Sequence, residues 1–130
     1  MDLHLEKAKD KRQKAKVKIT GSKSETNRLL LLQALYPNLV LDNTSNSDDS
    51  EVMLKALQNS QLPTPNSQLV DVHHAGTAMR FLTSFFAIQE GKEVVLTGSS
   101  RMKERPIKIL VDTLNQLGAE ISYEENEGFP

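Results

Sequence analysis

The sequence predicts a layered α/β fold on three observations. Short apolar runs alternate with segments of helical period. Polar turns separate them, and three of these turns each follow a predicted strand and precede a predicted helix. The order strand, basic turn, helix, strand, polar turn, helix then recurs. His74 follows Gly21 by 53 positions and Gly98 follows Asn43 by 55, which predicts a duplicated topology.

Val17 to Thr20 is expected as a first strand, with Gly21 and Ser22 as the turn after it. Ser24 to Tyr36 has the helical pattern, and its leucines cover more than one face, so a largely buried helix is expected until Pro37 and Asn38 stop it. Leu39 to Asn43 is a second strand. Ser47 or Asp48 then caps a helix running to about Asn59, whose positive end suits Asp48 and Glu51. The prolines of Leu62 to Ser67 make a loop, and Leu69 to Val72 resumes as a strand. Gly76 to Gln89 is helical, with Ala78, Phe81, Leu82 and Phe85 at core spacing, and ends near Gly91. Glu93 to Thr97 is a strand, Gly98 to Arg105 a basic connection, and Pro106 opens a helix whose stripe is Ile107, Leu110, Val111, Leu114 and Leu117. Gly118 ends that helix, and Ala119 to Tyr123 makes the last strand.

The chain has 130 residues, 38% of them apolar, which suits one domain with a modest core. Sixteen Lys and Arg against seventeen Asp and Glu leave a net charge of −1, arguing against nucleic-acid or membrane-surface binding by bulk electrostatics. Any anion site must therefore be local. The absence of cysteine excludes disulfides, thiolate nucleophiles and thiolate metal sites. Leu29 to Leu32 is far too short an apolar run for a membrane helix, so a soluble, cytoplasmic chain is expected. Residues 1–15 are expected as a basic, flexible flank, and residues 16–130 as the domain.

The three basic turns are Gly21 to Arg28, His74 to Arg80 and Ser99 to Arg105. At the carboxyl ends of strands in an open α/β sheet, helix amino-termini offer free N–H groups and partial positive charge to phosphates or carboxylates. Arg28 and Arg80 lie one turn inside their helices, and helical side chains lean back toward that end. Lys23 adds a point charge, Ser24 a hydroxyl, and Gly76 an unobstructed backbone. A doubly anionic substrate fits this pattern.

Blander readings exist for several of these residues. Lys103 and Glu104 read as solvated or paired, and Arg105 reads equally well as structural. Asp48 and Asp49 read as helix-capping acids. His73 and His74, if neighbours on a strand, point to opposite faces and cannot share a metal. No metal site is expected. Gly21 to Ser24 superficially resembles a phosphate-binding Walker loop but lacks its first glycine and its Gly-Lys pair, which rejects nucleotide binding by that route.

With these motifs in view, the chain resembles the amino-terminal part of the 5-enolpyruvylshikimate-3-phosphate synthase family, enolpyruvyl transferases of the shikimate pathway. Gly21 to Arg28, Ala75 to Arg80 and Arg101 to Pro106 match three family motifs in order, from about Val17 to Gly118, and Ser47 to Asp49 also fits. Lys23-Ser24 favours this family over the related transferase acting on UDP-N-acetylglucosamine, which typically has Lys-Asn there.

The resemblance implies a domain of an inside-out α/β barrel built from βαβαββ units, with roughly one and a half units present. It also implies transfer of an enolpyruvyl group from phosphoenolpyruvate to shikimate 3-phosphate with release of phosphate, without metal or organic cofactor. Lys23 would contact both substrates as the catalytic residue, Ser24 and Arg28 would bind shikimate 3-phosphate, Gly76 and Arg101 would hold phosphoenolpyruvate, and Thr77 would be a further substrate-binding residue. His74, Arg80, Arg105 and Asp49 are further candidates. His74 and Phe81 depart from the family's usual Asn and Pro, which bears on affinity for phosphoenolpyruvate and for the herbicide glyphosate. The family's Ser-Ser-Gln motif and the carboxylates of its other domain are missing from this sequence. The chain is therefore expected to be a fragment inactive by itself, requiring the remainder of an enzyme whose complete form is a monomer. The alternatives are a non-catalytic anion-binding module and an assembly role through an unpaired sheet edge.

Overall fold

A computed structural model describes residues 16–61 and 68–130, and the basic flank and the proline loop expected at 1–15 and 62–67 fall outside the described residues. The order of elements is α1 (Lys23–Leu35), α2 (Asp48–Ser60), β1 (Gln68–Asp71), α3 (Gly76–Ala87), β2 (Val94–Thr97) and α4 (Lys108–Gln116). The fold is mixed α/β. β1 and β2 pair in parallel with Gln68 opposite Val94 and Asp71 opposite Thr97, and α3 is the crossover that parallel pairing requires.

α3 is the hub, packing against α1, α2, α4 and β2. Its Ala78, Met79, Leu82 and Phe85 are buried at helical spacing, and they meet Leu30, Met53, Leu57, Val70, Val72, Met102, Ile107 and Val111 in one core. Phe81 is half-buried at its margin. Two helix starts and two helix ends have local causes. Ser22 and Ser47 cap α1 and α2 by accepting the N–H groups of Glu25 and Ser50. Gly91 and Gly118, beyond the ends of α3 and α4, take positive φ values of 70° and 101° that other residues rarely adopt.

Three expected strands are absent. Residues 16–20, 39–43 and 119–123 have no ladder among the described residues, because strand-like composition cannot substitute for a neighbouring strand's donors and acceptors. Their polar groups are partly met locally. The Leu39 carbonyl accepts from Gln33 Nε2 at 2.8 Å, and the Asp42 side chain accepts the Asn43 N–H at 2.8 Å. Ile121 exchanges both backbone bonds with the Asn115 side-chain amide at 2.9 Å, so a side chain takes the place of a strand partner. The duplicated order consequently persists in the helix pairs α1–α2 and α3–α4, whereas the ladder exists only in the second half.

α1 is also less buried than expected. Leu30 is covered, but Leu29, Leu32 and Leu35 are about two-fifths exposed, because only α2 and α3 cover the helix. In the α4 stripe Ile107 and Val111 are buried while Leu117, past the last turn, is solvent-facing. No helix among the described residues is long and apolar enough to cross a membrane.

Candidate functional site

The amino end of α1 is built around Ser22, whose backbone carbonyl accepts the Thr26 N–H at 2.9 Å while its hydroxyl takes that of Glu25. This sets Lys23 and Ser24 on the exposed first turn. Lys23 Nζ lies 3.4 Å from Asp49 Oδ2, so its charge is partly answered by the first turn of α2, and Asp49 does more than complement its own helix end. Arg28 folds back along α1, donating from Nη1 to the Ser24 carbonyl at 2.9 Å, and its Cζ lies 5.9 Å from the centroid of the Phe81 ring. Beneath them Asn27 is fully buried and accepts from Ser50 Oγ at 2.9 Å, leaving its Nδ2 without a partner among the described residues. A buried Asn on a leucine-rich helix carries no periodic signal, so sequence reasoning missed it.

The amino end of α3 differs in kind. Its cap residue, Ala75, has no side-chain acceptor, and the first turn carries no acid, so the positive end of the helix dipole is not answered by the helix itself. Arg105 nonetheless lies there. A Cβ built on the buried Gly76 would overlap the Arg105 guanidinium, with Cζ only 2.7 Å away. Two positive groups placed together in this way form a local potential suited to an anion. Arg80, by contrast, donates from Nη1 to the Gly76 carbonyl and from Nη2 to the Pro106 carbonyl, both at 3.1 Å. It staples α3 to the start of α4 and uses those donors on main chain. Thr77 is exposed on the same first turn.

The loop from Ser99 to Arg105 is wound on a buried plug, Met102, which is 1% exposed. The Ser99 N–H donates to the His73 carbonyl at 2.9 Å, and Ser99 in turn accepts the N–H groups of Met102 and Lys103. Gly98 permits this closeness, since a Cβ there would meet the His73 carbonyl oxygen and Met102 Cγ at 2.7 Å. Arg101 stands exposed and without a hydrogen bond or ion pair among the described residues, whereas Lys103 pairs with Glu125 at 2.6 Å.

His73 and His74 lie in the turn after β1 rather than on a strand. β1 ends at Asp71, and His73 takes a left-handed φ of 50° with its N–H donated to Asp71 Oδ1 at 2.7 Å. Both histidines line an open groove of about 460 Å³ with Asp48, Asp49, Glu51, Lys55 and Ser99. Three carboxylates face this groove, so it is acidic. Positive potential collects instead where Arg105 meets Gly76 and where Arg28 meets Phe81. Among the described residues no hydrogen bond joins Arg101 or Thr77 to Lys23, Ser24 or Arg28.

A second cavity, of about 250 Å³, opens between α3, β2, α4 and residues 120–124. Tyr123 lines it with a buried hydroxyl that has no partner among the described residues, and burial pushes the phenol above its usual range. Nearby, hydrogen bonding to Lys108 holds Glu127 below the usual carboxylate value, at a separation of 2.7 Å.

Comparison with known proteins agrees with the motif reading. The family model described as EPSP synthase (3-phosphoshikimate 1-carboxyvinyltransferase) matches residues 44–130. Proteins named 3-phosphoshikimate 1-carboxyvinyltransferase are similar to this chain. The one from Bacteroides fragilis (strain YCH46) is 46% identical over 118 residues, covering 90% of this chain and 27% of the relative. That from Paraburkholderia phymatum is 40% identical, covering 98% of this chain and 33% of the relative. That from Ralstonia nicotianae is 42% identical, covering 98% and 34%. The chain thus spans about a third, or less, of the length of these curated relatives.

Proposed function

Since the chain belongs to the EPSP synthase family, we propose that it supplies part of an enzyme that transfers the enolpyruvyl group of phosphoenolpyruvate to shikimate 3-phosphate and releases phosphate. The observation that carries this reading is the amino end of α3, with no side-chain cap and no acid in its own first turn, and with the Arg105 guanidinium lying against Gly76. Two phosphorylated substrates brought together repel each other, and a preset cationic rim offsets that repulsion while stabilising the tetrahedral intermediate.

In this reading Ser24 and Arg28 bind shikimate 3-phosphate, and Lys23 contacts both substrates. The backbone of Gly76 and Thr77, with Arg101, holds phosphoenolpyruvate. Arg105 adds charge at the same helix end, and His74 borders it. Asp49, 3.4 Å from Lys23 Nζ, orients the ammonium group, and Arg80 fixes the relation of α3 to the third basic turn through its two carbonyl bonds. Residues 16–130 act as a substrate-binding unit, and the machinery for turnover is completed by polypeptide that the much longer relatives possess.

Titration of the isotopically labelled chain with shikimate 3-phosphate tests the site. Amide shifts are expected at residues 21–28, and addition of phosphoenolpyruvate is expected to extend them to 76–77 and 101. Perturbation confined elsewhere sinks the assignment. A turnover assay with both substrates is expected to yield no phosphate from the chain alone, and appreciable release would overturn the view that it holds only part of the machinery.

A further inference from the structure

Arg28 and Phe81 are the one cation–aromatic pair among the described residues, and they bridge the two helices whose amino ends carry the proposed site. An arginine on an exposed helical turn ordinarily samples many rotamers, and an anion that captures it must freeze them. Arg28 is tethered at two points. Nη1 donates to the Ser24 carbonyl at 2.9 Å, and the guanidinium Cζ lies over the ring of Phe81, 5.9 Å from its centroid. These tethers differ in what they consume. A carbonyl acceptor occupies a donor, as both carbonyls do at Arg80, whereas an aromatic face attracts the charge and leaves the N–H groups free. Phe81 is itself held, because it packs half-buried against the core on the face of α3 that also presents Phe85 and Leu82. No carboxylate pairs with Arg28 among the described residues, so its charge is still available.

We propose that Phe81 is a positioning residue, presetting the Arg28 guanidinium beside Ser24 so that a phosphate ester or carboxylate meets a fork already in place. This rests on the reading of Arg28 as an anion-binding residue and adds that α3 governs it from across the helix pair. It makes Phe81 a determinant of affinity without touching the ligand. Because Arg28 is exposed, the aromatic contribution is modest, and the expected loss on its removal is about two- to fivefold in affinity.

The test uses the 130-residue chain labelled for observation of arginine side chains, as wild type, Phe81→Leu, Phe81→Met and Phe81→Tyr. In the two non-aromatic variants the ring-current shift of the Arg28 Nε–H and Cδ protons is expected to vanish, and the Kd for shikimate 3-phosphate to rise about two- to fivefold. Phe81→Tyr keeps both at wild-type values, and unchanged amide spectra away from the pair certify the fold. Arg28 signals that do not move in Phe81→Leu and Phe81→Met, or Kd values equal to wild type in both, overturn the proposal. Failure of the wild type to bind shikimate 3-phosphate rejects the functional reading instead. Inorganic phosphate then serves as the probe. A moved Arg28 signal with weakened phosphate binding in the non-aromatic variants supports the positioning role, and unmoved signals reject it.

Discussion

Gly76 opens α3 and Gly98 follows β2, and the atoms above them predict opposite outcomes for the same substitution. Over Gly76 the obstacle is the far end of the Arg105 side chain, which can swing away. Gly76→Ala is therefore expected to fold with unchanged or slightly raised stability, since alanine also favours the helix, while the Arg105 side-chain resonances shift. Over Gly98 the obstacles are the His73 carbonyl and the fully buried Met102, neither of which can yield cheaply. Gly98→Ala is expected to cost about 1–3 kcal/mol by overpacking. Urea denaturation of both variants checks the contrast, and equal losses would contradict it. Gly21 resembles Gly98, since its space is closed by the Asn43 backbone carbonyl.

Among the elements, the segment 119–123 shows how a strand-like sequence is used when no strand pairs with it. Asn115 of α4 satisfies Ile121 on both sides, and Ile121 and Tyr123 turn apolar surface toward the core. The Tyr123 hydroxyl is then buried without a partner among the described residues, and burial raises its pKa above the ordinary value of 10.0. The folded chain holds this proton more tightly than the unfolded chain. Its contribution to stability is thus fully present below about pH 10 and is lost as pH rises through the folded value. Tyr36 is the other tyrosine, so in a Tyr36→Phe background the alkaline ultraviolet titration reports Tyr123 alone. Ionisation is expected above pH 10, accompanied by loss of stability. Tyr123→Phe in the same background is expected to remove that alkaline step.

The molecule as a whole is a hub helix with incomplete cover. α3 is enclosed by α1, α2, α4 and β2, whereas α1 presents Leu29, Leu32, Leu35 and Tyr36 to solvent, with Tyr36 67% exposed and Val40 beyond it 89% exposed. Apolar side chains exposed together in this way favour association. Sedimentation of the isolated chain is expected to show concentration-dependent self-association, and Leu32→Lys with Tyr36→Ser is expected to reduce it. A monomer at all accessible concentrations would refute this expectation. The same exposure accords with a chain that spans 27–34% of the length of its relatives.

Local chemistry was legible from the residues alone. Ser47 with acids in the next turn starts α2, positive-φ glycines follow α3 and α4, and helical spacing picked out Ala78, Leu82 and Phe85, because such preferences act within a few bonds. The three basic motifs and their order were likewise sufficient to indicate the family, because each is long and specific. Strand existence was not legible at 17–20, 39–43 or 119–123, since a strand depends on a partner remote in the chain. Nor was the distribution of charge around the candidate site. Lys23 meets Asp49 across 26 positions, Arg105 lies on Gly76 across 29, and Arg28 reaches Phe81 across 53, and only the packing of α1, α2 and α3 around their shared core sets which of those charges is answered by a carboxylate and which is not.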